Sequence, residues 1–123
     1  MRVAVASEDG ETIQQHFGKT TQFMVYELDG DQCRLLEVRE NEPACHPGRS
    51  RQHGAYLAES IALIADCRVV LASQIGPVAE AHLLQHNVLP LRASGVIHAA
   101  LLRLARYFQR AAKEQPAVSL DVH

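Results

Sequence analysis

Three short apolar runs interspersed with helical stretches constrain the fold more than any other feature of this sequence. The runs lie at residues 2–7, 67–72 and 88–91. An amphipathic stretch at residues 55–65 precedes the second run, and a helix opened by Gly76-Pro77 and running to about His86 precedes the third. Continuous apolar runs of this length are typical of strands buried on both faces, as in parallel sheets. Strand–helix–strand connections require right-handed crossovers. The pattern therefore predicts an α/β fold with parallel strands in its C-terminal part.

A β-hairpin is predicted between the first strand and the first helix. Residues 22–28 and 33–40 have strand character, and Asp29-Gly30-Asp31 between them is a typical tight-turn sequence. A hairpin adds antiparallel strands to the sheet. We therefore expect a mixed sheet of about five strands with helices packed on its faces.

The last helical stretch begins after Ser94-Gly95 and carries one apolar stripe. Proline lacks the backbone N–H that a helix needs, so Pro116 is predicted to end this helix and to leave a frayed tail. The sequence shows no linker or repeat, which predicts a single domain over residues 1–115 and a flexible tail over residues 116–123. The stripe consists of Ile97, Leu101, Leu104, Phe108 and Ala111.

Composition excludes several classes of protein. Apolar residues make up 47% of the 123 residues and charged residues 21%, values that argue against disorder. The net charge of −2 argues against broad nucleic-acid binding, which usually needs a strongly basic face. No apolar run approaches the length of a transmembrane helix, and the first apolar run is too short for a signal peptide. We expect a cytoplasmic protein that binds neither nucleic acid nor membrane.

Three predicted strand ends should meet at one edge of the sheet, where open α/β sheets bind ligands. One leads from Ser7 into a loop with His16, one runs through residues 73–76 into a helix, and one runs through residues 93–95 into a helix. Helix N-termini favour anions, and imidazole is a metal ligand. The combination is typical of an anionic metal cluster site. The alternative is that Ser94-Gly95 and Gly76-Pro77 are only favourable helix starts.

The segment Gln15-His16-Phe17-Gly18 has the most specific pattern. Together with residues 3–7, 22–27, 66–71, 75–76 and 93–95, it resembles the dinitrogenase iron–molybdenum cofactor biosynthesis family over most of the chain. This resemblance implies a ribonuclease-H-like three-layer fold. It also implies binding of the iron–molybdenum cofactor or its iron–sulfur precursor, for transfer to other assembly proteins. His16 matches the family histidine proposed to contact the cluster.

The predicted site combines this motif with the two helix starts. Some members of the family carry a further cysteine where this chain has Ala72-Ser73-Gln74, so a thiolate from that loop is not expected. Cys45 is the predicted substitute, and His16 and Cys45 are the predicted metal ligands. The predicted cofactor-binding residues are His16, Phe17, Gly18, Ser73, Gln74, Gly76, Ser94 and Gly95. Among them, Phe17 is expected to anchor the loop in the core rather than to contact the ligand.

Other histidines and cysteines have simpler explanations. Cys45-His46 with His53 could form a metal clamp, but a solvated loop is the favoured interpretation. Cys67 begins an apolar strand and is predicted to be a core residue. His82 and His86 share a helix face, as zinc ligands can, but no third ligand is visible in the sequence.

The sequence suggests three possible functions, and the second of them is excluded by its residues. The first is a non-catalytic metallocluster carrier, as a monomer or a homodimer. The second is a nuclease, since ribonuclease-H-like folds often carry one. That chemistry needs several carboxylates around metal ions, and residues 3–7 and 68–72 contain no Asp or Glu. The third is an adaptor that binds a protein and no cluster. The carrier is the favoured prediction and the adaptor its alternative.

Overall fold

The computed structural model describes residues 1–42 and 53–122, with side chains left out at residues 53–56 and 112–122. Five strands form the central sheet in the order β4-β3-β1-β5-β6. The strands and helices are β1 (Arg2–Ala6), β2 (Thr12–Ile13), β3 (Gln22–Asp29), β4 (Gln32–Glu40), α1 (His53–Leu63), β5 (Val69–Ala72), α2 (Pro77–Gln85), β6 (Leu89–Arg92), β7 (Gly95–Val96) and α3 (Ile97–Val122).

The sheet is mixed, as predicted. β1 pairs with β5 in parallel, and β5 pairs with β6 in parallel. On its other side β1 pairs antiparallel with β3, which forms the predicted hairpin with β4. Gly30 lies in the hairpin turn with φ 61°, a left-handed conformation that glycine adopts without steric cost.

Side-chain alternation along the strands divides the core into two layers. Ala4 and Ala6 of β1 face a cluster that includes α1 and α2, whereas Val3 and Val5 face a cluster that includes α3. Successive strand residues point to opposite faces, so each buried strand contributes to both layers. Helices therefore cover both faces, which gives the predicted three-layer arrangement. Within the described residues no helix is long and apolar enough to cross a membrane.

The segments around α3 correct two predictions. Ser94-Gly95 does not start the helix, because Gly95-Val96 first pairs antiparallel with Thr12-Ile13 as β7. Gly95 has φ 86°, which a residue with a side chain would rarely adopt. The helix begins at Ile97, and its backbone continues past Pro116 to Val122. The predicted helix end at Pro116 was therefore wrong. A proline inside a helix removes one hydrogen bond and crowds the preceding turn, but it does not always stop the helix.

An ion pair fixes the hairpin to the far end of α1. The Arg39 guanidinium contacts the Asp66 carboxylate at 2.6 Å and donates a hydrogen bond to the Leu63 carbonyl at 2.8 Å. Arg2 also contacts Asp66, at 2.7 Å. The hydrogen bond from Arg39 holds the pKa of the Asp66 carboxyl well below its usual range. This cluster ties β4, β1 and the α1–β5 connection together.

Candidate functional site

The loop after β1 is shaped by one carboxylate. Asp9 accepts hydrogen bonds from the backbone N–H groups of Thr12 and Glu11 at 2.9 and 2.8 Å, and from the Thr12 hydroxyl at 2.8 Å. These bonds hold the pKa of Asp9 well below its usual range, and the bond from the Thr12 N–H has the largest effect. The closed turn directs the chain into β2 and then toward the end of β5.

The His-Phe-Gly motif is fixed against the end of β5 by backbone hydrogen bonds. The Ser73 N–H donates to the Gln15 carbonyl, and the Phe17 N–H donates to the Gln74 carbonyl, both at 2.9 Å. His16 and Gln74 thus form an isolated parallel bridge. The loop that carries His16 continues the sheet beyond β5 by one short step, so its position is set by the sheet.

The two neighbours in this motif have opposite environments. Phe17 is fully buried, and its ring lies 5.7 Å from that of Phe23 in the core beneath α1 and α2. His16 is exposed. The His16 carbonyl also accepts hydrogen bonds from the N–H groups of Lys19 and Thr20, both at 3.0 Å. Phe17 therefore anchors the loop while the His16 imidazole stays accessible.

A cavity of about 360 Å³ lies where the His16 loop meets the start of α2. Its polar groups come from the His16 loop and from Gln74, two residues after β5, and its apolar wall comes from α1 and α2. The residues that line it are His16, Gly18, Lys19, Leu57, Gln74, Gly76, Pro77, Val78 and Ala79.

The start of α2 gives the cavity a positive end. Gly76 is the N-cap residue, and no side chain caps the helix there. The first backbone N–H groups of a helix have no partner within the helix, and the helix dipole makes this end attractive to anions. Pro77 at the first helical position has no N–H, which leaves those of Val78 and Ala79. The Lys19 ammonium adds a full positive charge to the cavity lining.

The structure brings half of the predicted cofactor-binding residues to this cavity: His16, Gly18, Gln74 and Gly76. Ser73 is held by its backbone, and its buried hydroxyl has no hydrogen-bond partner within the described residues. Phe17 is a core residue, so its ring is not available to a ligand. This burial agrees with the expectation that Phe17 anchors the loop in the core.

Ser94 and Gly95 do not belong to this cavity. Both are exposed, and neither is among the described residues that line it. The prediction assumed that α3 begins directly after them. Instead, β7 intervenes, and the Ile97 N–H at the start of α3 donates to the Glu11 carbonyl at 2.8 Å. A helix start whose N–H already has a backbone partner is a weaker anion site.

The sequence prediction missed Lys19 and the apolar wall formed by Leu57, Pro77, Val78 and Ala79. Lys19 directly follows the His-Phe-Gly motif, so its charge could have been included. The apolar wall depends on how α1 packs beside α2, and no sequence pattern reports that packing.

The predicted thiolate ligand, Cys45, lies outside the described residues, as does His46. Cys67 is buried as predicted, and burial raises the pKa of its thiol to about 11. On α2, the His86 ring Nδ1 lies 2.8 Å from the His82 carbonyl oxygen. Within the described residues, no group of three or more His, Cys, Asp or Glu side chains could hold a metal ion.

Comparison with known proteins gives a consistent family. The model of the family described as dinitrogenase iron-molybdenum cofactor matches residues 1–107. The chain is 32% identical over 92 residues to protein NifY of Azotobacter vinelandii and 34% identical over 101 residues to the FeMo cofactor biosynthesis protein NifB of Chlorobaculum tepidum. These matches cover 75% and 80% of this chain but only 36% and 22% of the two relatives.

The fold also has a close counterpart among solved structures. The crystal structure of PH0822 superposes with a TM-score of 0.65, covering 85% of this chain and 90% of that one. The two sequences are 20% identical, so this likeness concerns the fold.

Proposed function

Because this chain belongs to the dinitrogenase iron–molybdenum cofactor family, we propose that it is a non-catalytic carrier of an iron–sulfur-based metallocluster. The cargo is the iron–molybdenum cofactor or its iron–sulfur precursor, and the recipients are other cofactor-assembly proteins. In support, one relative of this chain, NifB of Chlorobaculum tepidum, is named an FeMo cofactor biosynthesis protein. The chain spans about a third or less of NifY and of NifB, so the proposal concerns the part they share.

One observation carries the proposal: an exposed imidazole is fixed beside an uncapped helix N-terminus in the same cavity. Two 2.9 Å backbone hydrogen bonds on either side of His16 set the position of its loop. A neutral imidazole can bind iron, and the helix N-terminus with Lys19 favours the negative charge of an iron–sulfur cluster.

The small number of side-chain ligands suits a carrier. Iron–sulfur clusters in permanent sites are usually held by four protein ligands, most of them cysteines. Among the described residues that line the cavity, His16 is the one with an ordinary metal-ligating side chain. A cluster attached mainly through one imidazole leaves its other metal positions free for a recipient protein. Exchange to a site with more thiolates is then favourable.

The size of the cavity is consistent with partial enclosure. Its 360 Å³ is near the lower end of the range for small-molecule sites, about 300–1,000 Å³. We infer that the cavity holds one side of the cluster and leaves the opposite side accessible. A recipient protein would cover that side during transfer.

Anaerobic loading tests the proposal. The protein is mixed with isolated iron–molybdenum cofactor or with a synthetic [4Fe–4S] source, desalted, and assayed for bound metal and for broad visible absorption. The wild type should retain the cluster, and His16→Ala should retain at least about tenfold less, as expected when a metal ligand is lost.

The matched control is His82→Ala. It removes another exposed histidine, which lies on α2 and does not line the cavity. It should bind like the wild type. If wild type and His16→Ala both remain free of metal, the carrier proposal is wrong and the adaptor alternative takes its place. If both load equally, the cluster is held elsewhere, and Cys45→Ser then tests the predicted thiolate.

A further inference from the structure

A cysteine and a histidine lie in contact on the opposite face of the sheet from the His16 cavity. Cys33 at the start of β4 and His98 in the first turn of α3 approach each other, with 3.4 Å between Sγ and Nδ1. Cys33 packs at the edge of the core layer beneath α3 and is partly exposed, and His98 is exposed. Solvent therefore reaches a thiol that is already in hydrogen-bond contact with an imidazole.

The surroundings of this pair hold both signs of charge. A recess of about 260 Å³ beside the thiol is lined by Glu27, Asp29, Gln32, Cys33 and Arg34. The Glu27 carboxylate is paired with the N-terminal ammonium of the chain. The Asp29 carboxylate and the Arg34 guanidinium complement the ammonium and carboxylate groups of a small zwitterion.

The face behind the pair is formed by Tyr26. Its ring meets the His98 imidazole edge-on, with 6.4 Å between ring centroids. Burial, with a smaller contribution from Cys33, raises the pKa of the Tyr26 hydroxyl. The Tyr26 hydroxyl therefore stays protonated at the neutral pH of the thiol reaction, and it adds no negative charge beside Cys33 and His98.

We propose that Cys33 and His98 form a thiol modification site for low-molecular-weight disulfides of the glutathione class. The Cys33 thiol transfers its proton to His98 Nδ1, and the thiolate attacks one sulfur of the disulfide. A sulfur–sulfur bond forms at Cys33 while that of the reagent breaks. The departing thiolate takes the proton from the imidazolium. Cys33 is oxidised to a mixed disulfide, and half of the reagent is reduced to a thiol.

This site is independent of the metallocluster carrier function. The other described cysteine, Cys67, is 2% exposed, and burial raises the pKa of its thiol to about 11. Both properties make a thiol unreactive. Cys45 lies outside the described residues, so the experiment uses a Cys45→Ser protein in which Cys33 is the accessible thiol.

The experiment follows the formation of the mixed disulfide with glutathione disulfide by intact-protein mass spectrometry, at about pH 7, without metal. One glutathionyl group should add to the Cys45→Ser protein and none to Cys45→Ser/Cys33→Ser. His98→Gln should slow the reaction about threefold or more, since it loses the imidazole that accepts the proton. His82→Gln, which changes an exposed histidine far along the chain, should leave the rate unchanged.

A pH series separates proton transfer from a structural effect. Without His98 the rate should rise about tenfold per pH unit from about pH 6 to 7.5, as for an isolated thiol. With His98 accepting the thiol proton, the rise should be shallower. The nearby Glu27 carboxylate stays ionised, because the hydrogen bond from the N-terminal ammonium lowers its pKa. Far-UV circular dichroism checks that each variant is folded. Equal rates and equal slopes with and without His98, no modification of the Cys45→Ser protein, or modification that persists in Cys45→Ser/Cys33→Ser, would overturn the proposal.

Discussion

Replacing Phe17 should show how strongly the core holds the candidate site. Phe17 is fully buried, its ring packs 5.7 Å from Phe23, and its neighbour His16 lines the cavity. Phe17→Ala removes the ring from a close-packed layer that can collapse only partly. Both the stability of the domain and the position of the His16 loop should therefore suffer.

The magnitude follows from the burial of the side chain. Truncation of a buried phenylalanine to alanine costs about 3–5 kcal/mol of unfolding free energy, including the cavity that remains. Phe17→Leu keeps most of the apolar volume and should cost about 1 kcal/mol, the contribution of the aromatic pair with Phe23. The total free energy of unfolding of a domain is about 5–15 kcal/mol. Phe17→Ala should therefore still fold unless the wild type lies at the lower end of that range.

Urea unfolding followed by far-UV circular dichroism is the suitable assay, since the chain has no tryptophan. Leu84→Ala is the matched control, because Leu84 is 53% exposed on α2 and its truncation should change the unfolding free energy by about 0.5 kcal/mol or less. Metal retention should fall in Phe17→Ala and stay unchanged in Leu84→Ala. A loss below about 1 kcal/mol in Phe17→Ala would refute the view of Phe17 as the anchor.

Three further predictions concern charge and backbone geometry. Asp66→Asn should lower the unfolding free energy by about 1 kcal/mol at pH 7, since Asp66 is part-exposed. Because Arg39 depresses the pKa of Asp66, this stabilisation is present above about pH 4 and is lost as the pH falls further, so urea midpoints of wild type and variant should converge in acid. Gly95→Ala should lower the thermal midpoint, because alanine at φ 86° costs about 1 kcal/mol. Lys19→Glu should weaken cluster retention more at low than at high ionic strength; equal weakening at both would contradict an electrostatic role.

Periodicity predicted the larger elements because each has a strong local signal. The apolar runs that became β1, β5 and β6, the hairpin around Gly30 and the helix after Gly76-Pro77 all follow from side-chain patterns that one segment carries by itself. The prediction of burial on both faces was wrong for β6, which is a half-exposed edge strand. The mixed topology then follows from the handedness of crossovers and from the hairpin.

The errors arise where distant segments decide the structure. β2 and β7 have two residues each, too few for a periodic signal, and they form only because Thr12-Ile13 meets Gly95-Val96. This pairing places the start of α3 at Ile97, and Ser94 and Gly95 are not among the described residues that line the cavity. The apolar wall of the cavity likewise depends on the packing of α1 beside α2.

The central claim is that the imidazole of His16 binds the cluster. The most direct measurement is pulsed electron paramagnetic resonance of cluster-loaded protein in which histidine is labelled with ¹⁵N. The account predicts a ¹⁵N hyperfine coupling from a directly bound nitrogen in the wild type and in His82→Ala. That coupling should be absent from any cluster that His16→Ala retains. The same coupling in His16→Ala, or none in the loaded wild type, would contradict it.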